Sequence, residues 1–146
     1  MAYDIQICID CKNAHDQADW WAETLGWPVE ETNQDFIDEM LAKGFASPDD
    51  VIDHNGTRMW AAGSAVLQPV PPGSPVTPMR ILFQPVPEPK TVKDRIHLDI
   101  RLSGEDINAT RAALEARGAT FLWEASQGPH LWYTMADPEG NEFCIS

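Results

Sequence analysis

Apolar and polar residues alternate along two short stretches, 5–10 and 96–102, and this alternation predicts a half-buried β-strand in each. Successive side chains of a strand point to opposite faces, so each strand has an aliphatic face and a polar face. The aliphatic residues, which we expect to pack under helices, are Ile5, Ile7, Ile9, Ile96, Leu98, Ile100 and Leu102. The polar faces carry Gln6, Cys8 and Asp10 in the first strand and His97, Asp99 and Arg101 in the second.

Each of these strands precedes a stretch with helical spacing. Apolar residues recur on one helical stripe from Ala14 to Leu25, and Gly26 follows as a C-cap. Polar residues at 103–106 are typical of a helix start, and the helix is predicted to run to Arg117 with Gly118 after it. A shorter amphipathic helix is predicted from Phe36 to Gly44.

Further strands are predicted between these helices and at the end of the chain. They cover 27–30, 58–67, 79–84, 120–125 and 131–136, and the last stretch reads as strand, turn at 137–141, and closing strand. Asn55-Gly56 favours a hairpin turn before the strand at 58–67. Most of the 12 prolines lie between 69 and 89, so that region is mainly loop and 85–89 is a stiff linker. A single domain, 1–146, is therefore predicted from two modules, about 1–88 and about 92–146.

The overall charge and the cysteines narrow the classes of function. A net charge of −13 disfavours nucleic acid and would attract cationic ligands. The chain shows no signal peptide and no apolar run of membrane-spanning length, so a cytoplasmic location is the expectation. Three cysteines argue against a disulfide framework. Cys8 and Cys11 spell C-x-x-C, but a redox or zinc interpretation requires the strand to break at Asp10.

The segment Asp-Pro-Glu-Gly-Asn-Glu-Phe-Cys at 137–144 resembles the closing hairpin of the vicinal oxygen chelate superfamily. This superfamily contains glyoxalases, extradiol dioxygenases and bleomycin-resistance proteins. The segments 95–100 and 18–27 are similar to the strand that opens its second module and to its first helix. The resemblance implies an α+β fold of two βαβββ modules, in which a mixed sheet curls into a cup with helices on the outside.

The resemblance also implies a divalent metal held by four residues of the cup. Carried over to this chain, those positions are Gln6, Gln84, His97 and Cys144. Cys144 stands where a glutamate is expected, and sulfur shifts the preference towards softer ions. Zinc, nickel, manganese or iron would act as a Lewis acid on two substrate oxygens, with Glu142 as the candidate base and Asp99 as the second candidate. A metal-free site stays open, with His97 only hydrogen-bonded and Cys144 a small buried apolar residue.

Two functions follow from the resemblance. The first is a glyoxalase-type lyase, isomerase or dioxygenase acting on a small oxygenated substrate. The alternative is a non-catalytic binder that sequesters a cationic or aromatic compound, as bleomycin-resistance members do, in a homodimer. The candidate substrate pocket in either case consists of Trp60, Trp123, Trp132 and Arg101, although the tryptophans also suit simple packing. A third function, a structural or partner-binding module, has no feature in its favour.

Overall fold

The computed structural model describes residues 3–146, and contacts divide the chain into two compact units, Met1–Pro87 and Glu88–Ser146. In the first unit the strands and helices are β1 Ile7–Cys11, α1 Ala14–Leu25, α2 Gln34–Ala42, β2 Val51–His54, β3 Thr57–Trp60, β4 Ser64–Leu67 and β5 Arg80–Pro85. In the second they are β6 Leu98–Ile100, α3 Ile107–Ala116, β7 Thr120–Gln127, β8 His130–Ala136 and β9 Glu142–Ile145. A 3-10 turn at Pro48–Asp50 precedes β2.

The first unit is built on a three-stranded mixed sheet in the order β1-β5-β4. β1 runs parallel to β5, with Ile9 opposite Phe83, and β4 runs antiparallel to β5. Helix α1 packs on this sheet and buries Trp21 there, as its apolar stripe predicts. A separate hairpin joins β2 to β3 through Asn55 and Gly56, both with positive φ, which confirms the predicted turn.

The second unit is built on a four-stranded mixed sheet in the order β6-β9-β8-β7. β6 runs parallel to β9, and the other neighbours are antiparallel. Phe143 and Met135 are fully buried on the apolar face of this sheet. The closing hairpin is confirmed, and its turn is held by buried Asp137, whose Oδ1 accepts hydrogen bonds from the backbone N–H groups of Glu139 and Asn141, both at 3.0 Å.

These mixed, open sheets curl and carry helices, so the predicted α+β class is confirmed. The second unit follows the predicted order of strand, helix and three strands. The first unit adds α2 and one strand to that outline, because four strands follow its helices. Helix α2 ends at Ala42, two residues before the predicted end. Among residues 3–146, no helix is long and apolar enough to cross a membrane.

Two of the predicted aliphatic positions do not pack under helices. Ile5 is 84% exposed and Ile96 is 85% exposed. The reason is that β1 begins at Ile7 and β6 begins at Leu98, so both isoleucines precede their strands. Alternation therefore continued in the sequence beyond the residues that pair in the sheet.

Two predicted strands differ in their extent. The strand predicted at 58–67 is divided into β3 and β4, because the chain turns at 61–63. Gly63 passes so close to the sheet that a Cβ there would lie 2.6 Å from the carbonyl oxygen of Phe83, which excludes a larger residue. The strand predicted at 27–30 is only an isolated bridge between Val29 and Val66.

Candidate active site

The polar face of the second sheet forms the floor of an open cleft of about 950 Å³. All of its lining residues belong to the second unit. They are Lys93, His97, Asp99, Arg101, Trp123, Gln127, Pro129, His130, Leu131, Trp132, Thr134, Cys144 and Ser146. We call this feature the unit-2 cleft.

Strand pairing places four of these side chains in one row across the sheet. Asp99 on β6 lies opposite Cys144 on β9, Cys144 lies opposite Thr134 on β8, and Thr134 lies opposite Trp123 on β7. The register of β7 shifts between Phe121 and Trp123. Such a bulge changes which residues share a face, and here it pairs Trp123 with Thr134 and brings Trp123 into the cleft.

Three of the lining residues form a cluster that we call the His97–Asp99–Cys144 cluster. One potential metal-ligand atom from each residue lies within 4.8 Å of the other two. Nε2 of His97 is 3.3 Å from Oδ1 of Asp99. The side chains of His97 and Asp99 are exposed to the cleft, whereas Cys144 is only 7% exposed. Among residues 3–146 this is the one group of three histidine, cysteine or acidic side chains that is close enough to hold an ion.

The surroundings of Cys144 favour its neutral thiol. Burial raises the pKa of the Cys144 thiol, a hydrogen bond with Thr134 at 3.4 Å partly offsets this, and the nearby Asp99 carboxylate raises it further. The thiolate is the form of cysteine that attacks substrates or binds metals. Cys144 alone is therefore a poor nucleophile, whereas a bound cation would stabilise its thiolate.

The donor chemistry of the cluster fits a divalent metal ion. Imidazole, carboxylate and thiolate together suit zinc and related transition metals better than magnesium or calcium. Three protein ligands beside an open space are typical of catalytic zinc sites, which keep a position for water or substrate. His97, Asp99 and Cys144 border such a space in the unit-2 cleft. They are the residues that would hold the ion.

The two glutamines of the expected metal set lie in the first unit and are not brought together there. Gln84 pairs with Asp10, whereas Gln6 precedes β1 by one residue. Gln6 lies four residues before Asp10, the residue opposite Gln84 on the parallel strand, and four strand residues correspond to roughly 13 Å. The amide oxygen of Gln6 also accepts a hydrogen bond from Arg80 at 2.6 Å. The amide oxygen of Gln6 therefore has a partner within the protein, and its role as a metal ligand stays a prediction.

Glu142, the candidate base, has its carboxylate in an ion pair. Lys90 Nζ lies 3.0 Å from one carboxylate oxygen, and the backbone N–H of Asp94 donates to the same group at 3.0 Å. Burial alone would raise the pKa of Glu142, but these hydrogen bonds and the Lys90 charge outweigh it and hold the pKa below its usual value. Asp99, the second candidate, lies in the cluster and is 67% exposed at its side chain.

The candidate substrate pocket is divided between the units. Arg101, Trp123 and Trp132 line the unit-2 cleft. Trp60 belongs to the first unit, where its ring packs edge to face against Phe36. There Trp60 lines a smaller depression of about 360 Å³.

Some cleft residues were not identified from the sequence, notably Lys93, Gln127, His130 and Thr134. Thr134 lies two residues after Trp132, so both share one strand face, and this was the one sequence pattern that could have placed Thr134 in the pocket. Lys93 lies before β6 and Gln127 lies at the end of β7, where alternation gives no guidance.

A family model for the glyoxalase-like domain matches residues 6–146. The chain belongs to the glyoxalase-like domain family. No curated protein sequence matches it. The match covers nearly all of the described chain, so both units are parts of this family's fold.

Solved structures with this fold cover almost the whole chain but have little sequence identity with it. A mutant of the fosfomycin resistance protein FosX from Listeria monocytogenes, complexed with Mn(II) and 1S,2S-dihydroxypropylphosphonic acid, aligns with a TM-score of 0.59 and 10% identity, over 99% of this chain and 90% of that one. A glyoxalase/bleomycin resistance protein/dioxygenase family enzyme from Burkholderia phytofirmans PsJN aligns with a TM-score of 0.57 and 13% identity, over 96% and 94%.

A superfamily member from Sphaerobacter thermophilus DSM 20745 aligns with a TM-score of 0.55 and 19% identity, over 99% of this chain and 96% of that one. At these identities the likeness shows the fold alone. The chemistry of this chain therefore depends on its own residues.

Proposed function

We propose that this protein is a metal-assisted enzyme of the glyoxalase type, an isomerase or lyase that acts on a small oxygenated substrate in the unit-2 cleft. The observation that carries the proposal is the His97–Asp99–Cys144 cluster, three donor groups of different chemistry within 4.8 Å of one another at an open cleft. Mn(II) in the FosX complex supports the idea that this fold accommodates a divalent ion.

His97, Asp99 and Cys144 would hold the ion. When bound, a divalent ion supplies Lewis acidity that polarises a substrate oxygen and stabilises developing negative charge. The close approach of His97 to Asp99 fixes the orientation of the imidazole. Thr134 holds the Cys144 sulfur from the other side.

Proton transfer is the step that the chain's own groups would perform. Asp99 places one carboxylate oxygen in the cluster, and its second oxygen is the proton acceptor that we assign. Glu142, predicted as the base from the sequence, is less suited because its hydrogen bonds with Lys90 and with the Asp94 N–H lower its basicity. The walls formed by Trp123 and Trp132 would exclude water from one side of the substrate.

A non-catalytic binder is the second candidate, and one observation favours it. Trp123 is 44% exposed and lies in the unit-2 cleft with Trp132, an arrangement suited to holding a flat ligand without turnover. The homodimer expected from the bleomycin-resistance members belongs to this candidate. Tight aromatic binding without stoichiometric metal would favour it over the enzyme.

Metal content measured by mass spectrometry on tag-free protein tests the proposal. After separate incubation with zinc, nickel, manganese and ferrous iron and removal of free metal, we expect near one ion per chain. His97→Ala should lose the ion, and because His97 is partly exposed this variant should still fold. His130→Ala, in the same cleft but outside the cluster, is the matched control and should keep it. Protein free of metal in all four incubations would refute the proposal.

A further inference from the structure

The unit-2 cleft differs in charge from the protein as a whole. The chain has 23 acidic and 10 basic residues. The cleft is lined by two basic side chains, Lys93 and Arg101, and by one acidic side chain, Asp99. A positively charged concave site on an acidic protein concentrates anions locally. A divalent cation bound in the cluster would in addition offset the negative charge of the Asp99 carboxylate.

Three hydrogen-bonding groups of this cleft are donors without partners. Within residues 3–146, the guanidinium of Arg101 and the indole N–H groups of Trp123 and Trp132 form no hydrogen bond or ion pair. A guanidinium and an indole N–H donate but do not accept hydrogen bonds. A ligand that satisfies them must therefore present acceptor oxygens.

The register sets the distance between these donors and the cluster. Arg101 follows Asp99 by two residues and lies just after β6, and Trp132 precedes Thr134 by two residues on β8. Two strand residues correspond to roughly 7 Å along the sheet. Arg101 and Trp132 therefore lie about that far from the row of Asp99, Cys144 and Thr134, a distance that a benzene ring can bridge. Parallel pairing continues past β6, because the Leu102 N–H donates to the Ser146 carbonyl at 2.7 Å.

We infer that the unit-2 cleft binds a flat organic anion, an aromatic carboxylate, with the carboxylate on Arg101 and the ring against Trp123 and Trp132. A guanidinium matches a carboxylate through two parallel hydrogen bonds, and indole faces suit a planar ring. This inference rests on the cleft used in the proposed function and gives its substrate class. It replaces the cationic ligand that the net charge of −13 suggested.

Three ligands of one shape test the inference: benzoate, benzamide and benzylammonium, each titrated by calorimetry into metal-free and zinc-loaded protein. Benzoate should bind about tenfold or more tightly than the neutral and cationic analogues in the metal-free protein. Phenylphosphonate is a fourth ligand that separates a preference for carboxylates from a general preference for oxyanions.

Arg101→Gln should reduce benzoate affinity by about tenfold or more, and it should leave benzamide affinity and metal content unchanged. Arg95→Gln, in the same unit but outside the cleft lining, is the matched control. Trp123→Leu should weaken benzoate and benzamide alike, because both ligands share the ring. Since Arg101 is exposed, its replacement should not disturb folding.

The outcomes separate this inference from the proposed function. Benzoate binding that depends on Arg101 in a protein without stoichiometric metal supports the inference and refutes the metal-assisted enzyme. Tighter binding of benzylammonium, or unchanged benzoate affinity in Arg101→Gln, refutes the inference. Benzoate binding that appears only with zinc and ignores Arg101 also refutes it, because the ion alone would then hold the carboxylate.

Discussion

The two units share a strand arrangement but differ in the chemistry of their polar faces. In each unit the first and last strands are parallel neighbours, with Ile9 opposite Phe83 in one and Leu98 opposite Phe143 in the other. In the first unit, the polar face carries Arg80, whose Nε lies 3.1 Å from both carboxylate oxygens of Glu30. In the second, it carries the His97–Asp99–Cys144 cluster.

The difference lies in how many polar groups of each face already have partners. Arg80 is paired with the Glu30 carboxylate and donates to the Gln6 amide oxygen, so each of its three nitrogens has a partner. Arg101, by contrast, has no partner within residues 3–146. Satisfied polar groups stabilise a fold, whereas groups with unused hydrogen-bonding or ligand capacity are those that bind something else. We therefore assign structure to the first polar face and function to the second.

The largest effect is expected on the free energy of unfolding, at the phenylalanines in the last strand of each unit. The two units should behave alike in this respect. Phe83 and Phe143 are both fully buried. Replacing either with alanine should lower the free energy of unfolding by about 3–5 kcal/mol, because each change leaves a cavity in a packed core. Chemical denaturation followed by circular dichroism measures this. A loss under 1 kcal/mol in one variant alone would show that the two cores are not equivalent.

The second-largest effect is on zinc affinity, which should depend on the buried cysteine of the second unit and not on that of the first. Cys144→Ala should weaken zinc binding by more than about 100-fold, since changes outside the ligands already cost 10–100-fold. Cys11→Ala is the matched control: it is another buried thiol, located in the first unit, where it donates to the Gln84 carbonyl at 3.6 Å. Competition with a chromophoric chelator measures the affinity. Equal losses in both variants would contradict a site confined to the second unit.

A smaller effect is expected for the ion pair that holds Glu142. Lys90→Met should lower the free energy of unfolding by about 1–3 kcal/mol at neutral pH, because it leaves the mostly buried Glu142 carboxylate without its cation. Urea denaturation measures the loss. Among residues 3–146 the Lys93 amine donates only to the neighbouring Asp94 carbonyl, so Lys93→Met is the control and should change little.

The same ion pair predicts a pH dependence. The folded-state pKa of Glu142 lies below the ordinary value of 4.5, so its stabilisation is present above that pH and is lost as the pH falls through the folded value. The pKa of Lys90 is raised because its carboxylate partners outweigh burial, so its contribution is present below 10.5 and is lost at higher pH. Burial raises the pKa of Asp94, which opposes the acid-side loss. In Lys90→Met the acid-side loss should shrink or reverse, and an unchanged profile would contradict the assignment.

The smallest effect is expected at Arg80. Arg80→Met should cost about 1 kcal/mol or less, because both members of its pair with Glu30 are partly exposed. It should leave zinc stoichiometry and affinity unchanged. A marked loss of metal in this variant would show that the first polar face takes part in the site, and the comparison between the units would fail.

Much of the fold could be predicted because it depends on local signals. The alternation at 79–84, the Asn55-Gly56 turn and the closing hairpin lie within one or two residues of their predicted bounds. The same period of two correctly predicted that His97, Asp99 and Cys144 share a face, because parallel pairing of β6 with β9 preserves it.

The rest of the site depends on long-range pairing that the sequence does not encode locally. A bulge in β7 pairs Trp123 with Thr134. By the period of two, Glu142 lies on the same face of β9 as Cys144, as predicted. Its carboxylate nevertheless accepts a hydrogen bond from Lys90, which lies 52 residues earlier in the chain. The offset between Gln6 and Gln84 follows from the register of β1 with β5, which no local pattern specifies.

The most direct test of the central claim is the absorption spectrum of the cobalt(II)-loaded protein. A thiolate ligand gives an intense sulfur-to-cobalt charge-transfer band, and imidazole and carboxylate do not. We predict this band in the wild-type protein, its loss in Cys144→Ser, and its retention in Cys8→Ser and Cys11→Ser. A cobalt-loaded protein without the band, or with a band that survives Cys144→Ser, would contradict a metal site built on His97, Asp99 and Cys144.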